Sequence, residues 1–192
     1  KLIIKLMMLN NKILKFFNIY NIYIANTMWG VTERVFSIGA SFLVSIMVAR
    51  YLGPAQYGLY SYAIALFALF SILGSMGVDA LTVRELSKHT NVKQEIMGTS
   101  FGLIGFGHLL GLILLWGFLL LSENIQSEVF WLLLILSINF FFYPFYIINY
   151  WFAFRLEFKY PSLALMISIF ISSIIKIALV IGGANLILFA YA

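Results

Sequence analysis

Cysteine is absent from the 192 residues, and charge is scarce: only 10% of the chain is Asp, Glu, Lys or Arg. Without a thiol there is no disulfide framework and no thiolate metal or redox chemistry. The two histidines, His89 and His108, are too few for a site of three or four metal ligands without help from carboxylates. A soluble domain is about 25% charged and roughly 45–50% apolar. Here 63% of residues are hydrophobic, so too little polar surface exists to cover a core of that size. Disorder is excluded on the same grounds, since low hydrophobicity is its signature. Also missing are a glycine-rich phosphate loop ending in Lys-Ser/Thr, a nucleophile elbow and a His-Glu-x-x-His pair. No catalytic residue, metal ligand or bound cofactor is expected, and the chain does not read as an enzyme.

What is present is a series of long apolar runs. A helix needs about 20 mostly apolar residues to cross roughly 30 Å of hydrocarbon. Five runs qualify, at Met28–Arg50, Tyr57–Val78, Ile96–Ser122, Val129–Phe152 and Ser162–Gly182, and a sixth opens at Leu186 and stops at Ala192. The expected fold is an all-α, multi-pass transmembrane helix bundle. The chain begins with Lys1 and ends inside the apolar run 186–190. A terminus stranded at that depth would leave unpaired carbonyls in lipid, so a longer protein is expected.

The net charge of +5 is distributed for a membrane, not for nucleic acid, whose binding residues cluster on one soluble face. Lys1, Lys5, Lys12, Lys15 and Arg34 lie before or at the start of the first run. Arg84, Lys88 and Lys93 lie in the second loop, and Arg155 and Lys159 in the fourth. The first loop holds Arg50, and the third holds Glu123 and Glu128. Short loops retain Lys and Arg on the cytoplasmic side, which places the amino terminus in the cytoplasm. Residues 1–26 read as a separate basic amphipathic segment lying on an anionic surface, or as an upstream extension with Met28 the true start. Residues 27–192 form the bundle.

A charge at the centre of a span costs about 2.5–3.5 kcal/mol on insertion scales, so each one needs a reason. Glu33, Ser37, Ser41 and Ser45 recur every four residues beside Arg34, and Ser71, Ser75 and Asp79 repeat the spacing. Ala164, Ser168, Ser172 and Lys176 do so again. Small residues at this spacing let helices pack closely, which explains the serines alone but not Lys176. That lysine either lines a cavity or snorkels outward. The third run carries Gly98, Gly102, Gly105, Gly107 and Gly111 around His108, which reads as close packing more readily than as a proton carrier. Pro144, with Asn139 and Asn149 on either side, predicts a kink in the fourth run.

The segment Ala49-Arg50-Tyr51-Leu52-Gly53-Pro54, followed by Tyr57-Gly58, gives a sharp stop at Gly53-Pro54 and places Tyr57, Tyr60 and Tyr62 at the outer interface. Together with Gly77-Val78-Asp79, Val83-Arg84-Glu85 and, more loosely, Trp151-Phe152 with Glu157, it resembles the polysaccharide biosynthesis proteins. These are the O-antigen-type flippases of the multidrug/oligosaccharidyl-lipid/polysaccharide exporter superfamily. The resemblance covers residues 28–192. It implies two six-helix bundles in a V around a cationic cavity, of which this chain supplies five spans and the start of the sixth, with alternating access. The implied activity is flipping of a polyprenyl-diphosphate-linked oligosaccharide across the plasma membrane of a prokaryote.

In that setting Arg34, Arg50 and Lys176 are expected to supply cavity cations for the diphosphate. Ser37, Ser41, Ser45, Ser168, Ser172, Asn139 and Asn149 would line the cavity, and Glu33, Asp79, Arg84 and Glu85 would shape a cytoplasmic gate. Expected partners are the bilayer, the lipid-linked glycan, and a glycan polymerase and glycosyltransferases, with H⁺ or Na⁺ as possible coupling ions. The rivals are a cation-coupled drug antiporter, which would be expected to rely on buried carboxylates, a membrane-embedded glycosyltransferase or polymerase, and a non-transporting scaffold.

Overall fold

A computed structural model describes residues 2–75, 77–89, 91–122 and 127–191, with side chains for residues 23–75, 77–89, 91–122 and 128–191. Most of the basic segment 1–26 thus lies outside the described side chains. The elements are α1 (Leu2–Ser75), α2 (Val78–Lys88), α3 (Lys93–Leu121), α4 (Ser127–Ser137), α5 (Asn139–Phe142), a 3-10 turn (Tyr143–Tyr146), α6 (Ile147–Arg155), α7 (Lys159–Ile181) and a last 3-10 turn (Leu186–Ala190). Among the described residues there is no strand, as the apolar runs predict.

Four helices are long and apolar enough to cross a membrane: Tyr23–Lys88, Lys93–Leu121, Glu128–Arg155 and Lys159–Ile181. This differs from five separate spans because the first two runs lie within one continuous stretch, interrupted at Gly53. The sixth run, expected at Leu186, is a 3-10 turn of five residues.

Gly53 adopts φ 73°, ψ 171°, a region essentially reserved for glycine. The following Pro54 forbids Gly53 the helical region and then, lacking an N–H, begins a new helix without loss. The chain folds back there. Residues on both sides of Gly53 line one cleft, Ser41, Ser45 and Val48 before it and Tyr57, Ser61 and Ala65 after it, and Tyr57 and Tyr60 pack against the Val44–Val48 cluster. The first arm (residues 23–52) and the second arm (54–75) are therefore antiparallel.

The second arm ends at Ser75, and Gly77 at φ 73°, ψ 14° starts α2. The stripe expected to run Ser71-Ser75-Asp79 is therefore broken, because a left-handed glycine separates Asp79 from both serines. Arg84 and Lys88, expected in a loop, sit on α2 instead. Its Asp79 in the first turn and Lys88 in the last complement the helix dipole.

Helix α3 packs against the second arm at glycine contacts. A Cβ on Gly107 would overlap the Gly74 carbonyl oxygen, and one on Gly111 would lie 2.7 Å from the Phe70 carbonyl oxygen. These two bear out the close packing read from the sequence. Gly98 and Gly102 meet nothing within 4 Å. Pro144 interrupts the fourth run as expected: it has no N–H to offer the Phe140 carbonyl, and a 3-10 turn at Tyr143–Tyr146 separates α5 from α6.

Helix α7 runs parallel to the first arm. At one end the Phe158 N–H donates to Asn26 Oδ1 (3.0 Å), and at the other the Tyr51 hydroxyl donates to the Ala184 carbonyl (3.1 Å). The stretch from Asn26 to Tyr51 measures about 37 Å at 1.5 Å per residue, more than roughly 30 Å of hydrocarbon. Gly183, at φ 70°, closes α7: its N–H meets the Val180 carbonyl, and that of Ala184 meets Leu179 at 3.0 Å, the paired bonds of a Schellman stop.

These contacts define two ends. The basic end gathers Lys93, whose Nζ lies 4.8 Å from the Phe154 ring centre, Arg155 over Trp151 at 5.2 Å, and Lys159 over Trp29 at 6.0 Å. The far end holds the Gly53 turn and the Gly182-Gly183 stop.

Candidate functional site

A cleft of about 590 Å³ opens between the two arms and α7. Its walls carry Ser41 and Ser45 from the first arm, Tyr57, Tyr60 and Ser61 from the second, and Ser168, Ser172, Ser173 and Lys176 from α7. The four-residue spacing explains the match. Positions i and i+4 share a helix face, so Ser41 and Ser45 turn together toward α7, and Ser168, Ser172 and Lys176 turn together toward them.

Two of the hydroxyls are held by their own helices. Ser45 donates to the Phe42 carbonyl (3.0 Å) and Ser173 to the Ile169 carbonyl (2.7 Å). A hydroxyl so anchored keeps its oxygen lone pairs available to a ligand donor. Lys176 is half-buried, no carboxylate is among the lining residues, and no ion pair to it is found among the described residues. An ammonium among neutral hydroxyls is an arrangement that can attract an anion and hydrogen-bond it. Toward the far end it is closed by an apolar cluster of Val44, Val48 and Phe189, against which Leu52, Tyr57, Tyr60, Leu179, Val180 and Ala184 pack.

Of the expected cavity residues, the structure gathers Ser41, Ser45, Ser168, Ser172 and Lys176 in this cleft. Ser37 and Glu33 are half-buried lower on the first arm, and Arg34 is exposed there; none of the three lines it. Arg50 is exposed near the far end, past Val48. Asn139 is exposed and donates to the Leu136 carbonyl (3.1 Å), while Asn149 is half-buried on α6. Both lie away from the cleft. Asp79 and Arg84 are exposed on α2; Glu85, half-buried, lies 3.5 Å from His89 and 3.9 Å from Lys88.

Sequence reasoning missed Ser61 and Ser173, which lie off the stripes, and misplaced two tyrosines. Tyr57 and Tyr60 turn into the cleft, their ring centres 6.4 Å apart, and only Tyr62 is exposed. The fold-back at Gly53 points that face of the second arm at α7 instead of at the interface.

His108 lies elsewhere, buried at 2% exposure between the second arm and the Pro144 segment. Its ring stacks on Tyr143 at 4.3 Å and 16°, and its Nδ1 meets the Ile104 carbonyl at 2.8 Å. A carbonyl only accepts, so the proton in that contact is on Nδ1, and Nε2 has no partner among the described residues. Gly74 makes the room: a Cβ there would lie 2.7 Å from the ring.

Residues 23–192 match the family described as polysaccharide biosynthesis protein. No curated protein and no solved structure matches the chain.

Proposed function

The chain belongs to the polysaccharide biosynthesis protein family, and from that membership we propose that it moves a polyprenyl-diphosphate-linked oligosaccharide across the plasma membrane of a prokaryote. The observation that carries this reading is the cleft: one ammonium with no ion pair among the described residues, six serine hydroxyls and no carboxylate among its lining residues, set in a bundle of apolar helices. A drug antiporter coupled to cations would be expected to place a carboxylate where Lys176 stands.

In this reading the fold-back at Gly53 gives the first apolar stretch two crossings, five in all. The basic end faces the cytoplasm, since short loops rich in Lys and Arg are retained there. The physical task is to carry a diphosphate and many hydroxyls past hydrocarbon, where an unsatisfied polar group costs several kcal/mol. Lys176 offsets the phosphate charge as a compact point cation, and the serines replace water around the first sugar. The volume suits a headgroup, within the range of small-molecule sites, while the polyprenyl tail stays in the bilayer. Arg34, on the half of the first arm toward the basic end, and Arg50, near its far end, extend the positive field along the route. Asp79, Arg84 and the Glu85–His89 contact sit where the cytoplasmic entrance opens and shape it. Glycosyltransferases supply the cargo and a polymerase consumes it.

The test is glycan export in cells carrying Lys176→Ala, Lys176→Gln or Lys176→Arg in the full-length protein. Losing a charge-assisted bond of about 1.5–3 kcal/mol lowers export roughly tenfold or more in the first two, and Arg retains most of it. Wild-type export by Lys176→Ala at equal abundance overturns the reading.

A further inference from the structure

A second pocket lies at the far end, beyond the apolar cluster that closes the cleft. It measures about 510 Å³ and is lined by Tyr51, Gln56, Glu128, Ala184, Asn185, Leu186 and Ile187. Four separate pieces of chain meet there: the end of the first arm, the start of the second, the start of α4 and the segment after α7. Its chemistry differs from that of the cleft, with two carboxamides and a carboxylate but no cation.

Tyr51 is fixed as a wall. Its hydroxyl donates to the Ala184 carbonyl at 3.1 Å, and its ring packs on Phe189 with centres 6.0 Å apart. The Gly182-Gly183 stop of α7 sets Ala184 and Asn185 opposite that ring. An aromatic wall with planar amide and carboxylate groups around it suits a ligand with an apolar ring face and a rim of hydroxyls. Carboxamides offer both donors and acceptors, and Glu128 offers acceptors, so adjacent hydroxyls can be met in pairs. A volume in the small-molecule range is far larger than a single cation needs.

We infer that this pocket is a saccharide subsite on the exit side of the cleft, taking a neutral hexose or N-acetylhexosamine unit of the cargo. The inference rests on the transport reading for its direction. The cleft holds the charged headgroup, and the far-end pocket receives a sugar once the Val44–Val48–Phe189 cluster parts.

The test is saturation-transfer NMR on the full chain in nanodiscs, with glucose, galactose, mannose and N-acetylglucosamine as probes. At least one sugar takes up saturation. The Gln56→Ala/Asn185→Ala variant lowers its apparent affinity roughly fivefold or more, as loss of about two hydrogen bonds implies, and Lys176→Ala leaves it unchanged. Gln56→Met, which keeps the chain length, repeats the loss if the double variant unfolds. No transfer to any of the four sugars, transfer indifferent to Gln56 and Asn185, or a response to NaCl alone overturns the inference. Sugar binding at these residues with intact export by Lys176→Ala instead leaves the pocket standing and removes the headgroup reading.

Discussion

Adding a methyl group at Gly107 tests the packing on which the cleft depends, since α3 holds the second arm in place from behind. In Gly107→Ala the new Cβ overlaps the Gly74 carbonyl oxygen and lies 3.0 Å from the carbonyl carbon and 3.2 Å from Cα. Overpacking costs about 1–3 kcal/mol, and the upper end applies here because the obstructing atoms are backbone, which no rotamer change relieves. Alanine's better helix propensity offsets about 1 kcal/mol, leaving a net loss of about 2 kcal/mol by the same estimates. Gly98→Ala and Gly102→Ala, on the same helix, meet nothing within 4 Å and are stabilising by up to about 1 kcal/mol. Thermal unfolding of the three purified variants in one detergent reads the difference in sign. Gly107→Ala no less stable than Gly98→Ala refutes the close approach of α3 to the second arm.

Gly53→Ala forces a side chain into the glycine-only region at φ 73°, ψ 171°, at a cost of about 1–3 kcal/mol. Unfolding in detergent reads this loss, and a neutral Gly53→Ala contradicts the fold-back geometry. His108→Phe keeps the stack on Tyr143 and removes the unpartnered Nε2. Its stability stays within about 1 kcal/mol of wild type, because removing an unsatisfied buried polar nitrogen offsets the lost Ile104 bond. Export by this variant also persists, whereas a collapse of export in a folded protein would mark His108 as a proton carrier.

Much of the fold was legible because membrane solvation is severe. Runs lacking charge had to be helices, the Gly53-Pro54 stop had to break the first of them, and Pro144 had to disrupt the fourth. The half of the cleft made by Ser41, Ser45, Ser168, Ser172 and Lys176 was legible for the same reason: i,i+4 polar stripes keep one face. What escaped depends on which helix lies beside which. Ser61 and Ser173 lie off any stripe, and Tyr57 and Tyr60 face inward only because the second arm folds back against α7. Gly74 draws its importance from His108, 34 positions later in the chain, a pairing that periodicity within one helix cannot reveal. Arg50 shares a helix with the serine stripe but not its face, and Arg34 shares the face but lies about two turns before Ser41, which is why their charge falls outside the cleft walls. The Ser71-Ser75-Asp79 spacing misled because Gly77 interrupts the helix that the count assumed.

The 192 residues contain no cysteine, so single cysteines introduced among them test whether water enters the cleft. Ser45→Cys, Ser61→Cys and Ser168→Cys are expected to react rapidly with a charged, membrane-impermeant thiol reagent, and more slowly when Lys176 is replaced by Glu if the reagent is anionic. Phe42→Cys and Ile171→Cys, on exposed faces outside the cleft lining, stay unreactive in the bilayer. Labelling at Phe42 and Ile171 with none at the three serine positions would contradict a hydrophilic passage between the arms and α7.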